Sequence, residues 1–215
     1  KIQKKSNTQD KEFKTGLIEK KFGITIFLLL LIQHFNKILA FGYLDSNNIS
    51  YFGIALMLSS AIPLIITPII VYLTPEIYET SELSANDRKE KFSYLLVNQL
   101  FIMTILLVIT NLFLDSIIAL WIQNNINYTN ISLFFIPLSI STLSISMLTS
   151  LKILFIAENK LNYMWKPLVL VFIMFIFFTM MMHLQVITVE IYLYCLSISK
   201  FILGIYFSII YLKKI

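Results

Sequence analysis

The sequence predicts an all-α fold: a polytopic membrane protein of six transmembrane helices. Three observations carry that reading. Of 215 residues, 58% are hydrophobic and only 13% are charged, where a soluble domain runs near ~45–50% and ~25%. The apolar residues gather into runs of about twenty, the length that crosses a ~30 Å hydrocarbon core as helix. The cations collect in alternate connectors between those runs. A stretch such as Leu168–Met182 is apolar on every face, which excludes the in-and-out alternation of a membrane barrel strand. Five Gly and five Pro exclude a collagen-like or linker-rich chain, and the low charge argues against disorder. The single cysteine, Cys195, excludes a disulfide framework and a cysteine-rich zinc site. With only two histidines, neither a metal centre nor a cofactor is expected.

The spans follow in order. The first is expected over about Phe22–Leu44, between the Lys20-Lys21 pair and Asp45. The second, Tyr51–Leu73, opens on an aromatic pair; its Pro63 and Pro68 remove backbone donors and favour kinks. Pro75 is expected to end that helix, and Pro167 to begin a later one. The third, Ser93–Leu114, follows Arg88, Lys89 and Lys91 and has enough apolar length beyond it to run on to Trp121. Within it, Asn98 and Gln99 are expected to satisfy one another or nearby backbone, and Asp115 to lie at the surface. The fourth, Ile131–Leu151, carries Pro137 and a row of hydroxyls; the fifth and sixth are Pro167–Leu184 and Ile187–Leu212.

Fifteen of the seventeen cations lie before span one, between two and three, between four and five, or after six. The connectors around Asp45, Asp115 and His183 hold none. By the positive-inside rule both termini face the cytoplasm. The net charge of +5 is thus a topology signal first, with membrane lipids as partners through a generic attraction of these loops to anionic headgroups, and a nucleic-acid partner is not indicated. Tyr43, Tyr51 and Trp121 on the outer side, and Tyr163 and Trp165 on the inner, read as interfacial belts.

Two lysines remain inside spans, where an ionised side chain costs about 2.5–3.5 kcal/mol on insertion scales. Lys200 falls near the bilayer middle, too deep to reach water; Lys37 falls in the outer third, within snorkelling reach. Each stands in a polar or small stripe at helical spacing: Gln33, Asn36, Lys37 and Ala40 with His34 beside them, and Ser197, Lys200, Gly204 and Ser208. Ser139, Thr142, Ser146, Thr149 and Ser150 make a third, hydroxyl stripe in the fourth span. Close helix packing is the commoner use of such small residues; a shared wet interior is the functional alternative. The chain has no glycine loop for phosphate, no paired histidines at metal spacing and no nucleophilic triad, so it is not read as an enzyme and has no catalytic residues to assign.

The stretch Asn36–Glu79 joins a polar pair (Asn36-Lys37), an aliphatic run, an outer turn at Gly42–Leu44, an aromatic–Gly step (Tyr51-Phe52-Gly53) and a long span closed by Pro75-Glu76-Ile77. Phe134–Lys166 adds a span with a small-residue run and an inner loop, Ala157-Glu158-Asn159-Lys160. Together they resemble the second half of O-antigen and polysaccharide repeat-unit flippases of the multidrug/oligosaccharidyl-lipid/polysaccharide exporter superfamily. The resemblance implies one six-helix lobe (22–215) of a two-lobe transporter, with residues 1–21 as a basic cytoplasmic inter-lobe linker and an amino-terminal lobe as partner. It implies flipping of an undecaprenyl-diphosphate-linked oligosaccharide in a bacterial plasma membrane. Lys37 and Lys200 would then engage the diphosphate, with Gln33, Asn36 and Ser197 on phosphate or sugar. The alternatives are a small-solute antiporter of the same superfamily, or a non-transporting membrane subunit or truncated relic.

Overall fold

The computed structural model describes residues 21–35, 42–79, 84–122, 128–157 and 160–214. Asn36, Lys37 and most of the lead-in 1–21 lie outside them. The described residues form helices and no strand: α1 (Lys21–Phe35, its described part), α2 (Ser46–Glu79), α3 (Ala85–Leu112), α4 (Leu114–Ile122), α5 (Tyr128–Ala157), α6 (Trp165–His183) and α7 (Val189–Lys214), with a short 3-10 turn at Leu161–Tyr163. Among the described residues, four stretches are long and apolar enough to cross a membrane: Glu90–Leu112, Asn130–Ile156, Leu161–His183 and Val189–Lys213.

Local chemistry sets the helix ends. Asp45 caps α2 by accepting the Asn48 N–H at 3.0 Å, and Ser84 caps α3 by accepting from Asp87 N at 3.3 Å while donating to its carboxylate at 2.7 Å. Helix α6 closes in a Schellman turn. Val186 N–H bonds to the Met181 carbonyl and Gln185 N–H to that of Met182, with Gln185 at φ 58° in the left-handed region that glycine usually fills.

Two expectations about boundaries are corrected. Pro75 does not end its helix; α2 runs 34 residues through Pro63, Pro68 and Pro75 to Glu79. A proline withholds its own backbone donor but leaves the residues after it free to bond back, so one more turn follows Pro75 before the helix ends at Glu79. Helix α5 extends to Ala157, past the expected end at Leu151. Lys152 lies on its surface as a half-buried side chain, and Leu154 and Phe155 beyond it are buried, so one flexible cation does not interrupt an otherwise apolar face. The third stretch does run on toward Trp121, but with a one-residue break at Phe113 between α3 and α4. Asp115, in the first turn of α4, is exposed as expected; the acidic side chain there suits the helix dipole.

Helix α5 is the hub, packing against α2, α3, α4 and α7, while α6 packs on α7 and, through Phe172 and Phe175, on Phe35 of α1. The pairs Ser197–Pro137, Lys200–Ser141 and Phe207–Phe155 climb both helices together, so α5 and α7 run parallel, as alternate helices of an up-and-down bundle must. One end of the bundle gathers Phe92, Phe155 and Tyr211 in ring contact, near the lysines at 91, 152, 160, 166 and 213. The other end carries Asp45 and the Tyr43–His183 contact, with Oη 3.2 Å from Nδ1.

Candidate functional site

The site is built on three helices around one serine. Lys200, halfway along α7, is wholly enclosed, at 0% exposure. Its Nζ donates to Ser141 Oγ of α5 at 3.0 Å and lies 5.7 Å from the centroid of the Phe175 ring on α6, within cation–π range. No acidic side chain is among the buried described residues.

Ser141 also lines a cavity of about 270 Å³ between α1, α2 and α5. Its polar wall is Gln33 and His34 from α1, Ser60 from α2, and Ser141 and Thr142 from α5. At roughly 30 Å³ per water, a volume of about 270 Å³ holds about nine waters and has room for a phosphoryl group. Lys200 therefore stands one hydroxyl away from the cavity and reaches it through Ser141.

Of the five residues singled out by sequence, the structure brings Gln33 and Lys200 to this place. Ser197 lies one turn along α7 and is buried; its hydroxyl donates to the Pro137 carbonyl at 2.6 Å, tying α7 to α5. Asn36 and Lys37 fall outside the described residues. Gln99 does not turn to Asn98, contrary to the expectation from sequence. Its Oε1 accepts from Ser150 Oγ of α5 at 2.8 Å, because adjacent residues on a helix point about 100° apart. Its Nε2 has no partner among the described residues, and neither has the buried Ser139 Oγ.

Sequence reasoning does not find Ser141 or Ser60. Ser141 lies off the single hydroxyl stripe, and Ser60 stands in a span whose prolines are its most conspicuous residues. The signal for Ser141 is a matched interval: Pro137 and Ser141 are one turn apart on α5, as Ser197 and Lys200 are on α7. No protein-family model matches the chain, and no curated protein or solved structure matches it either.

Proposed function

We propose that the chain is one six-span lobe of a two-lobe transporter that flips an undecaprenyl-diphosphate-linked oligosaccharide across the bacterial inner membrane, for surface polysaccharide or O-antigen synthesis. The single observation that carries the reading is a fully buried, mid-span lysine hydrogen-bonded to a serine that lines a polar cavity. A diphosphate crossing ~30 Å of hydrocarbon loses its hydration, and a fixed cation with hydroxyls beside it offsets part of that loss. In this reading Ser141 and Gln33 meet the phosphate with the charge of Lys200 behind Ser141, Lys37 and Asn36 are further candidate contacts to the substrate, and Ser197 acts through its tie to α5. A second six-helix lobe completes the cleft, both termini face the cytoplasm, and the sugars ride between the lobes as these rock.

The complete enclosure of Lys200 favours one other reading, in which its ammonium is a peg that holds α5, α6 and α7 together in a non-transporting subunit. Complementation of a flippase-deficient strain by the complete reading frame separates the two. Lys200→Ala is expected to abolish surface polymer at unchanged membrane protein level; wild-type polymer in that variant would discard the transport role of Lys200.

A further inference from the structure

A second concavity shares no residue with the polar cavity. It is a groove of about 460 Å³ between α6 and α7, walled by Pro167, Leu170, Val171, Met174, Ile202 and Leu203. The two helices form an antiparallel hairpin, so Lys166 at the start of α6 comes level with Tyr206 of α7, and both line the same end of the groove. Ser199 lies at the other end, level with Met174. From Lys166 to Met174 is eight residues, about 12 Å at ~1.5 Å per residue, close to the depth of one hydrocarbon leaflet.

The groove faces outward: Leu170 is 59% exposed and Ile202 60%, which on a membrane helix means exposure to lipid. Its Lys166 end is cationic twice over. Lys166 is exposed, with Nζ 5.8 Å from the Trp165 ring centroid. The first turn of α6 adds the backbone N–H groups of Trp165 and Lys166, Pro167 having none, and Met164 before them offers no side-chain cap. An apolar trough of leaflet depth with a cation at its interfacial mouth complements a long hydrocarbon chain joined to an anion. A zwitterionic lipid also carries a phosphate, but its own ammonium offsets that charge, so an anionic lipid gains more from the cation.

We propose that this groove binds one acyl chain of an anionic glycerophospholipid, with the headgroup phosphate held by Lys166 and the first turn of α6. The proposal is independent of the transport reading and concerns a resident lipid at the bundle's flank.

Tryptophan fluorescence tests it. The chain has two tryptophans, so Trp121→Phe leaves Trp165 as the reporter at the groove mouth. The full chain is reconstituted in phosphatidylcholine vesicles containing increasing fractions of phosphatidylglycerol or phosphatidylcholine brominated on the acyl chain. Brominated phosphatidylglycerol should half-quench Trp165 at a several-fold lower mole fraction than brominated phosphatidylcholine. Lys166→Gln should make the two lipids equal, and Lys160→Gln, which changes a neighbouring cation outside the groove, should leave the preference in place. Equal quenching in the parent, a preference that survives Lys166→Gln, or its equal loss in Lys160→Gln would each overturn the proposal. The last of these would mark a diffuse basic surface instead.

Discussion

Helices α5 and α6 have nearly the same mean hydropathy and opposite fates. Over an apolar window of 18 residues, 67% of the α5 span is buried, against 22% for the α6 span. What separates them is the kind of residue mixed in: α5 has nine Ser or Thr and α6 only Thr179. Apolarity cannot sort helices within a bilayer, because lipid tails are as apolar as leucine. Close approach of small residues and hydrogen bonds between helices do the sorting. Helix α5 uses both, through Ser141 to Lys200, Ser150 to Gln99 and the Pro137 carbonyl to Ser197. Helix α6 turns Ile173, Phe177 and Met180 outward and makes a polar contact with α7 at Thr179, whose Oγ1 is 3.3 Å from Tyr192 Oη.

The contrast can be broken by experiment, and the largest effect belongs to the lipid face. Ile173→Lys should cost about 2.5–3.5 kcal/mol of insertion free energy, read as a fall in the inserted fraction in a translocon assay. Insertion equal to the parent would mean that this face of α6 meets something other than lipid. Next comes the tight seam of α5 and α7, where a Cβ on Gly204 would lie 2.8 Å from Met147 Sδ. The flexible Met147 side chain can yield to Ala, but Gly204→Ile should lower unfolding free energy in detergent by about 1–3 kcal/mol. A cost below that of the matched lipid-face change Phe177→Leu would show the seam to be loose. The smallest effect is expected from Ser150→Ala, about 0.6 to 1.7 kcal/mol in the same assay, the range of hydrogen bonds between membrane helices. No change there would mean that Gln99 finds another donor as readily.

Much of this architecture is legible in the chain. The third to sixth expected spans coincide with the four apolar helices to within a few residues at most ends, because twenty apolar residues in lipid have almost no alternative to helix. Helix ends are less legible where a single charge or proline resembles a stop, as at Lys152 and Pro75. Lys200 is legible because a mid-span cation demands explanation. Its partner is not, since periodicity assigns one buried stripe to a helix and α5 is enclosed on nearly every side. Ser139 and Ser150, from the expected stripe, and Ser141 and Ser144, from outside it, are all buried together.

The parallel seam between α5 and α7 also constrains how the bundle can move. It is keyed at three heights, by Ser197 on the Pro137 carbonyl, Lys200 on Ser141 and Gly204 under Met147. Sliding one helix along the other would break both of those hydrogen bonds where no water waits to replace them, and would bring Lys200 or Phe207, the buried residues one turn either side of Gly204, to a gap sized for a hydrogen atom. The two helices thus behave as a single keel, to which α2 is also closely packed, through Phe52 on Phe134 among other contacts. The open volume of the polar cavity lies beside Gln33 and His34 of α1 and Ser60 and Pro63 of α2, and the Ser141 hydroxyl belongs both to the fixed seam and to the wall of that cavity.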